Sequence, residues 1–129
     1  MAIRIIQLGS PRTPDEGLRL GTVRRPPRGV RKSDFARKNF YDVWLPILSP
    51  SPELLKEWQA AGNDADFSGF KRKFRREMLA SDASKVLDLL AALSHQTGFA
   101  LGCYCKDETT CHRSVLRELL DERGADIAP

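Results

Sequence analysis

The sequence predicts one α/β domain over residues 1–129, with a small, largely parallel β-sheet flanked by helices in three layers. A short apolar segment near each end of the chain has the composition of a β-strand, and the segments between them show the spacing of amphipathic helices. The last third reads as strand, short loop and helix, which is half of a βαβ unit. A chain of 129 residues is also long enough to bury a core without disulfides or a structural metal.

The N-terminal third predicts two strands and a stiff basic loop. Residues 3–8 are apolar and β-branched, so they predict the first strand. Residues 18–23 alternate apolar with polar or small residues, as expected of a half-buried second strand. The two prolines of segment 24–29 cannot continue that strand, and Ser33 with Asp34 then offers a cap for a short helix.

Three helices are predicted in the middle of the chain. The first covers about 52–61, because Ser51 is suited to cap it and Gly62 to stop it. The second, over 70–79, has an apolar stripe and, on the opposite side, a basic face that we expect to be exposed. The apolar stripe contains Phe67, Phe70, Phe74 and Met78. The basic face contains Lys71, Arg72, Arg75 and Arg76. The third begins at Ser81 or Ser84, and its predicted buried face consists of Val86, Leu89, Leu90 and Leu93.

The C-terminal third predicts a buried central strand at 99–105, a polar loop at 106–110 and a final helix. We expect residues 3–8 and 99–104 to be adjacent or near-adjacent strands of one sheet. Ligands of open parallel sheets bind beyond the carboxyl ends of the strands. The loop after Cys105 is therefore the predicted position of a site.

Basic residues are concentrated in two parts of the chain. Residues 1–38 carry ten Arg or Lys against three acids, and segment 71–76 adds five more, although the net charge is only +4. This segregation suggests a surface for a polyanion, either nucleic acid or another phosphate-bearing ligand, whereas basic side chains on a solvated face need no partner. The predicted anion-binding residues are Arg24, Arg25, Arg28, Arg31 and Lys32.

The sequence predicts a cytoplasmic protein that binds no membrane. No stretch approaches the ~20 apolar residues that span a bilayer. The three cysteines lie within nine residues of one another, a poor layout for a secreted disulfide framework and a better one for a site with reduced thiols. The sequence does not indicate an oligomeric state.

The candidate catalytic residues are Cys103, Cys111, His112 and Arg113. Cys111 is expected at a helix N-terminus, where backbone amides favour a thiolate, and Arg113 adds positive charge nearby. We therefore predict that Cys111 is the most reactive of the three thiols. Cys103 is placed to approach Cys111 across the loop, either as a redox partner or as a resolving thiol, and the alternative is that it merely packs in the core.

His112 is expected to point inward, with Asp107 and Glu108 as possible hydrogen-bond partners, and is either a general acid or base or a hydrogen-bonded core residue. No cofactor is predicted. Zinc is a weaker possibility, since the spacing is unlike that of common zinc motifs, and its ligands would be Cys103, Cys105, Cys111 and His112. Cys111 and Arg117 have the spacing of a phosphatase phosphate-binding loop, but the intervening residues are predicted to be helical, which argues against that chemistry.

Two sequence segments resemble a known family. Cys103-Tyr104-Cys105-Lys106-Asp107, followed by Cys111-His112-Arg113 and an apolar helix, is similar to the C-terminal signature of domain-of-unknown-function family 488. Segment 27–34 resembles the basic motif of its YeaO-like branch. Relatives often carry an acid where this chain has Cys105, so no role for that acid transfers here. The resemblance itself implies no reaction.

The residues leave two main hypotheses. In the first, the chain is a thiol-dependent enzyme or redox protein acting on an anionic, phosphate-bearing substrate at the strand end. In the second, it is a noncatalytic nucleic-acid-binding module that uses its basic surface, with the cysteines as core. A protein adaptor that presents aromatic anchors is a third possibility, although Tyr41, Trp44 and Trp58 are better explained as core residues.

Overall fold

The computed structural model describes residues 2–62 and 66–129, which form a four-stranded sheet and four α-helices. The strands are β1 (Ile3–Gln7), β2 (Leu18–Gly21), β3 (Val43–Trp44) and β4 (Phe99–Cys103). The helices are α1 (Pro52–Ala61), α2 (Phe67–Met78), α3 (Ser81–Leu93) and α4 (His112–Glu122). In the part of the chain described, no helix is long and apolar enough to cross a membrane.

The sheet is entirely parallel, with the strand order β1-β4-β2-β3. Ile3 lies beside Phe99 and Gln7 beside Cys103, so the predicted pairing of the first and last strands is confirmed. Strand β4 is central, as predicted, and buried along its whole length. The carboxyl ends of β1, β4 and β2 therefore meet at one edge of the sheet.

All four helices contribute to one hydrophobic core on the same face of the sheet. The predicted stripe of α2 is confirmed, since Phe70, Phe74 and Met78 are buried. The predicted buried face of α3 is wrong in part, because Leu89 is 62% and Leu93 37% exposed. The helix instead buries the face that includes Ala83, Leu87, Leu90 and Ala91.

The other face of the sheet is covered by irregular segments around 8–16 and 35–42. The Arg19 side chain, fully buried, forms an ion pair with Glu16 and donates to the carbonyls of Ser10 and Asn39. Gly21 lies under the Tyr41 ring, where an added Cβ would come within 2.4 Å of a ring carbon. Helices, sheet and this irregular layer make the three layers of a single α/β domain.

Three local features differ from the sequence-based prediction. The two-residue strand β3 was not predicted, and Trp44 is 43% exposed at this edge of the sheet rather than buried. Ser33 and Asp34 lie within a short 3-10 turn, Lys32–Asp34, that has no side-chain cap. Each feature depends on contacts made by a few residues, which a periodic pattern does not encode.

Candidate functional site

The predicted catalytic residues meet at the carboxyl edge of the sheet. Cys103 is the last residue of β4, and Cys111 is the N-cap of α4, after a polar loop of seven residues. The two side chains are only 2% and 3% exposed. They pack with Leu8, Val23 and Tyr41 in a small cluster of their own. The structure thus brings Cys103 and Cys111 together, as the sequence suggested.

The Sγ atoms of Cys103 and Cys111 are 2.9 Å apart. A disulfide bond is about 2.05 Å long, so these are free thiols in hydrogen-bonding contact. Either sulfur can be the donor by distance alone. The groups around them determine which sulfur carries the negative charge when one proton is lost.

The surroundings favour a thiolate on Cys111. Its Sγ accepts a hydrogen bond from Arg113 Nε at 3.5 Å and lies 3.7 Å from His112 Nδ1. Hydrogen bonds from the Cys103 and Cys105 thiols, with help from His112, lower the pKa of Cys111 against the opposing effect of burial. Hydrogen bonding to Cys105 and Cys111, together with burial, raises the pKa of Cys103. These contacts favour the negative charge on Cys111 over Cys103 when the pair loses one proton.

His112 is held in one tautomer by the end of β2. Its Nε2 lies 2.7 Å from the carbonyl oxygen of Thr22, which can only accept, so Nε2 must carry a proton. The Thr22 hydroxyl donates to the Gly102 carbonyl and lies 3.2 Å from the same Nε2. In the neutral ring Nδ1 is then the unprotonated nitrogen, and it faces the Cys111 sulfur. His112 can accept the Cys111 proton there.

Arg113 ties the helix start to the preceding loop. Besides its contact with Cys111, it donates from Nη2 to the Cys105 carbonyl at 2.7 Å, and it is only 3% exposed. Burial acts against its charge, but the hydrogen bond and the negative charge of Cys111 raise the pKa of the guanidinium. A buried positive charge therefore lies beside the Cys111 sulfur.

Cys105 differs from the other two cysteines because it is exposed. Its backbone amide donates to Cys103 Sγ at 3.3 Å, so Cys105 is adjacent to the pair. The hydrogen bond with Cys103 lowers its pKa, but the hydrogen bond with Cys111 and burial outweigh this and raise it. Cys105 is therefore accessible but has a raised pKa, whereas Cys111 has a lowered pKa but is covered.

A metal-ligand set is present at the same position. The sulfurs of Cys103 and Cys111 and a ring nitrogen of His112 all lie within 4.8 Å of one another. Cys105 does not belong to this group. Two thiolates bound tetrahedrally to zinc at about 2.3 Å would be roughly 3.8 Å apart, so the sulfurs would have to separate by nearly 1 Å. The observed spacing fits a dithiol better than a zinc site.

Two features of the site were not predicted from the sequence: the hydrogen-bond partner of His112 and the buried hydroxyl of Tyr41. Asp107 caps Thr109 and Glu108 binds Arg117, so these acids contact other residues and the Thr22 carbonyl orients His112. A backbone carbonyl leaves no residue-type signal in a sequence. The Tyr41 hydroxyl, buried in the cysteine cluster, has no hydrogen-bond partner among the described residues.

Arg117 does not take part in a phosphate-binding loop. It donates to both carboxylate oxygens of Glu108, and the residues between Cys111 and Arg117 belong to α4. The structure agrees with the sequence argument against phosphatase chemistry.

The predicted anion-binding residues are not equivalent. Arg24 donates to the carbonyls of Ser49 and Pro50, which is a structural role. The other four are exposed along the loop that follows β2; they are Arg25, Arg28, Arg31 and Lys32. The Arg25 carbonyl accepts from the Tyr104 hydroxyl, so this loop lies beside the residue that separates Cys103 from Cys105.

Part of the basic face of α2 is engaged in ion pairs with α4. Lys71 pairs with Glu118 and Arg75 with Glu122, and these two basic side chains are 37% and 31% exposed. Arg72 and Arg76 are exposed, as predicted. Only part of the basic face is therefore open to a polyanion.

Comparison with family models matches residues 3–124 to the model DUF488-N3a, described as the active DUF488-N3 subclade. Comparisons with curated proteins and with solved structures give no match. The matched range includes both cysteines of the pair, His112 and Arg113.

Proposed function

The chain belongs to the DUF488 family, in the subclade described as active, and from this premise we propose that it is a thiol-dependent oxidoreductase that acts on anionic disulfides. The observation that carries the proposal is the contact of 2.9 Å between the Sγ atoms of Cys103 and Cys111. Formation of a disulfide there requires the sulfurs to approach by less than 1 Å.

The proposed reaction is dithiol–disulfide exchange. The thiols of Cys103 and Cys111 lose two electrons and two protons and become a disulfide. The substrate disulfide gains them and is released as two thiols. A reducing thiol returns the protein disulfide to the dithiol in the reverse sense, so no metal or other cofactor is needed.

His112 and Arg113 support this exchange at the sulfur of Cys111. The nucleophile in such reactions is the thiolate. Arg113 stabilises the thiolate by its charge, and His112 Nδ1 accepts the thiol proton because Thr22 fixes the proton on Nε2. Both residues act on charge at Cys111 without bonding to the substrate.

The exposed part of the basic loop favours a substrate with negative charge. Arg25 and Arg28 lie on the segment whose backbone contacts Tyr104, next to the exposed Cys105. A phosphate-bearing disulfide or a peptide disulfide such as oxidised glutathione has the required charge, and long-range attraction raises its local concentration.

Turnover tests the proposal. The protein should catalyse reduction of oxidised glutathione by dithiothreitol, and Cys111→Ser should abolish the catalysed rate. Thr110→Ala, an exposed change in the same loop, is the matched control and should retain it. Full activity in Cys111→Ser would contradict the proposal.

The nucleic-acid hypothesis retains one supporting observation, the exposure of Arg72 and Arg76 on α2. Its test is oligonucleotide binding at several salt concentrations, since reversing both charges should lower the salt slope by about one to two units if they contact phosphates. The pairing of Lys71 and Arg75 with glutamates leaves this alternative with less support than the dithiol site.

A further inference from the structure

The buried position of the cysteine pair poses a problem of access. Cys103 is 2% and Cys111 3% exposed, so a disulfide substrate cannot reach either sulfur in this conformation. Thiol–disulfide exchange requires the attacking sulfur to contact the substrate sulfur in line. A second group must therefore connect the pair to the solvent, or the loop must open.

Cys105 has the required position. It is exposed, two residues beyond Cys103, and its amide donates to Cys103 Sγ at 3.3 Å. Its carbonyl accepts from Arg113 Nη2 at 2.7 Å, and Arg113 Nε donates to Cys111 Sγ at 3.5 Å. The backbone of Cys105 is thus linked to both sulfurs of the pair, and its side chain is on the solvent side.

We propose that Cys105 is the thiol that attacks the external disulfide and passes the oxidation on to the buried Cys103–Cys111 pair. This inference rests on the proposed function and identifies a catalytic residue for it.

The transfer has three steps. Cys105 attacks one sulfur of the disulfide RSSR, gives its proton to the Cys111 thiolate and forms a Cys105–SR mixed disulfide while RS⁻ leaves. The departing RS⁻ takes this proton from Cys111 and leaves as RSH; the Cys111 thiolate then attacks Cys105 Sγ, the Cys105–SR bond breaks and the second RS⁻ leaves. Cys103 finally attacks Cys111 Sγ, the Cys105–Cys111 bond breaks, and the Cys103 proton passes to Cys105, which returns to the thiol. The sum is RSSR plus the Cys103 thiol and the Cys111 thiolate giving one protein disulfide, one RSH and one RS⁻.

The charges at the site support the first step. Arg113 links the two residues, since it donates to the Cys105 carbonyl at 2.7 Å and to Cys111 Sγ at 3.5 Å, and its positive charge favours the Cys111 thiolate that takes the Cys105 proton. Cys111 thereby acts as a base before it acts as a nucleophile. A substrate thiolate leaving beside Arg25 and Arg28 departs into a positively charged region.

The experiment follows oxidation of the reduced full-length protein by oxidised glutathione. Because Cys105 is a thiol in both the starting and the final state, Cys105→Ser should slow formation of the Cys103–Cys111 disulfide by on the order of tenfold or more without changing its yield at equilibrium. Thr110→Ala is the matched control in the same loop and should react at the wild-type rate. An unchanged rate in Cys105→Ser would overturn the inference and leave the proposed function intact. Absence of the disulfide at equilibrium in the wild type would overturn both.

A second variant tests the route directly. In Cys103→Ser the oxidised product should be a Cys105–Cys111 disulfide, identified by mass spectrometry of the peptides. A mixed disulfide of glutathione on Cys111 as the main product would show that the substrate reaches Cys111 without Cys105, and would overturn the inference.

Discussion

At the scale of single residues, the proposed chemistry depends on the ionisation of Cys111. The ordinary pKa of the thiol is 9.0, and hydrogen bonds from Cys103 and Cys105 with the neighbouring His112 lower it. A lowered pKa means that the thiolate persists as the pH falls below 9.0 and is protonated only at the lower value. Cys111 has the lowered pKa but is buried, whereas Cys105 is exposed. The sequence-based expectation that Cys111 is the most reactive thiol therefore stays a prediction, and the burial of Cys111 acts against it.

The Cys111 thiolate should be visible in the ultraviolet absorbance of the reduced protein. We expect one thiolate at neutral pH that disappears in Cys111→Ser. In Arg113→Met its titration midpoint should rise by about 1–3 units, because a positive charge next to the sulfur is lost. Arg113→Lys retains the charge and serves as the control. Absorbance that appears only near pH 9, as in an ordinary thiol, would contradict a stabilised thiolate.

At the scale of elements, the ends of β4 and β2 and the start of α4 create the site, while the irregular segments cover it. The sequence predicted β1, β4 and the boundaries of α1 well, because continuous apolar runs and caps are local signals. It did not predict β3 or the buried face of α3, which depend on the surfaces these elements meet. It identified the cysteine pair from chain order but missed the Thr22 carbonyl, since a backbone atom has no signature in residue type.

The basic loop after β2 should select substrates by charge. Reversing Arg25 and Arg28 to Glu is expected to slow the reaction with oxidised glutathione, which is anionic, by about tenfold at low salt, and to accelerate the reaction with cystamine, which is cationic. Stopped-flow rates for the two disulfides at low and high salt measure this. Equal effects on both disulfides would contradict electrostatic selection. Arg24 is unsuitable for this test because its guanidinium binds the Ser49 and Pro50 carbonyls.

The irregular layer should depend on the buried Arg19–Glu16 ion pair. Both Arg19 Nε and Nη2 donate to the Glu16 carboxylate, at 2.6 and 3.1 Å, and the side chains are 0% and 3% exposed. Arg19→Met leaves a buried carboxylate without its partner and should lower the free energy of unfolding by about 3–5 kcal/mol. Arg19→Met combined with Glu16→Leu should recover part of this loss. Urea denaturation checks both values, and a loss below about 1 kcal/mol in the single variant would contradict a structural role for the pair.

At the scale of the whole molecule, the two surfaces with many basic residues differ in their relation to the site. The loop after β2 contacts Tyr104, which is next to Cys105. Helix α2 instead contributes Phe74 to the core, where its ring lies edge-on to the His112 ring. Two of the basic side chains of α2, Lys71 and Arg75, form ion pairs with Glu118 and Glu122 of α4 on the helical layer. The chain is organised so that one charged surface adjoins the thiols and the other stabilises helix packing.

The most direct test of this account is a redox titration of the Cys105→Ser protein in glutathione buffers, with the disulfide quantified by mass spectrometry and the zinc content measured in parallel. We predict that Cys103 and Cys111 are oxidised together as one two-electron couple, with a tenfold change in the ratio of oxidised to reduced protein for each 30 mV or so. The protein should be free of stoichiometric zinc as purified. Thiols that form only separate mixed disulfides with glutathione, or that are protected by one tightly held zinc ion, would contradict the account.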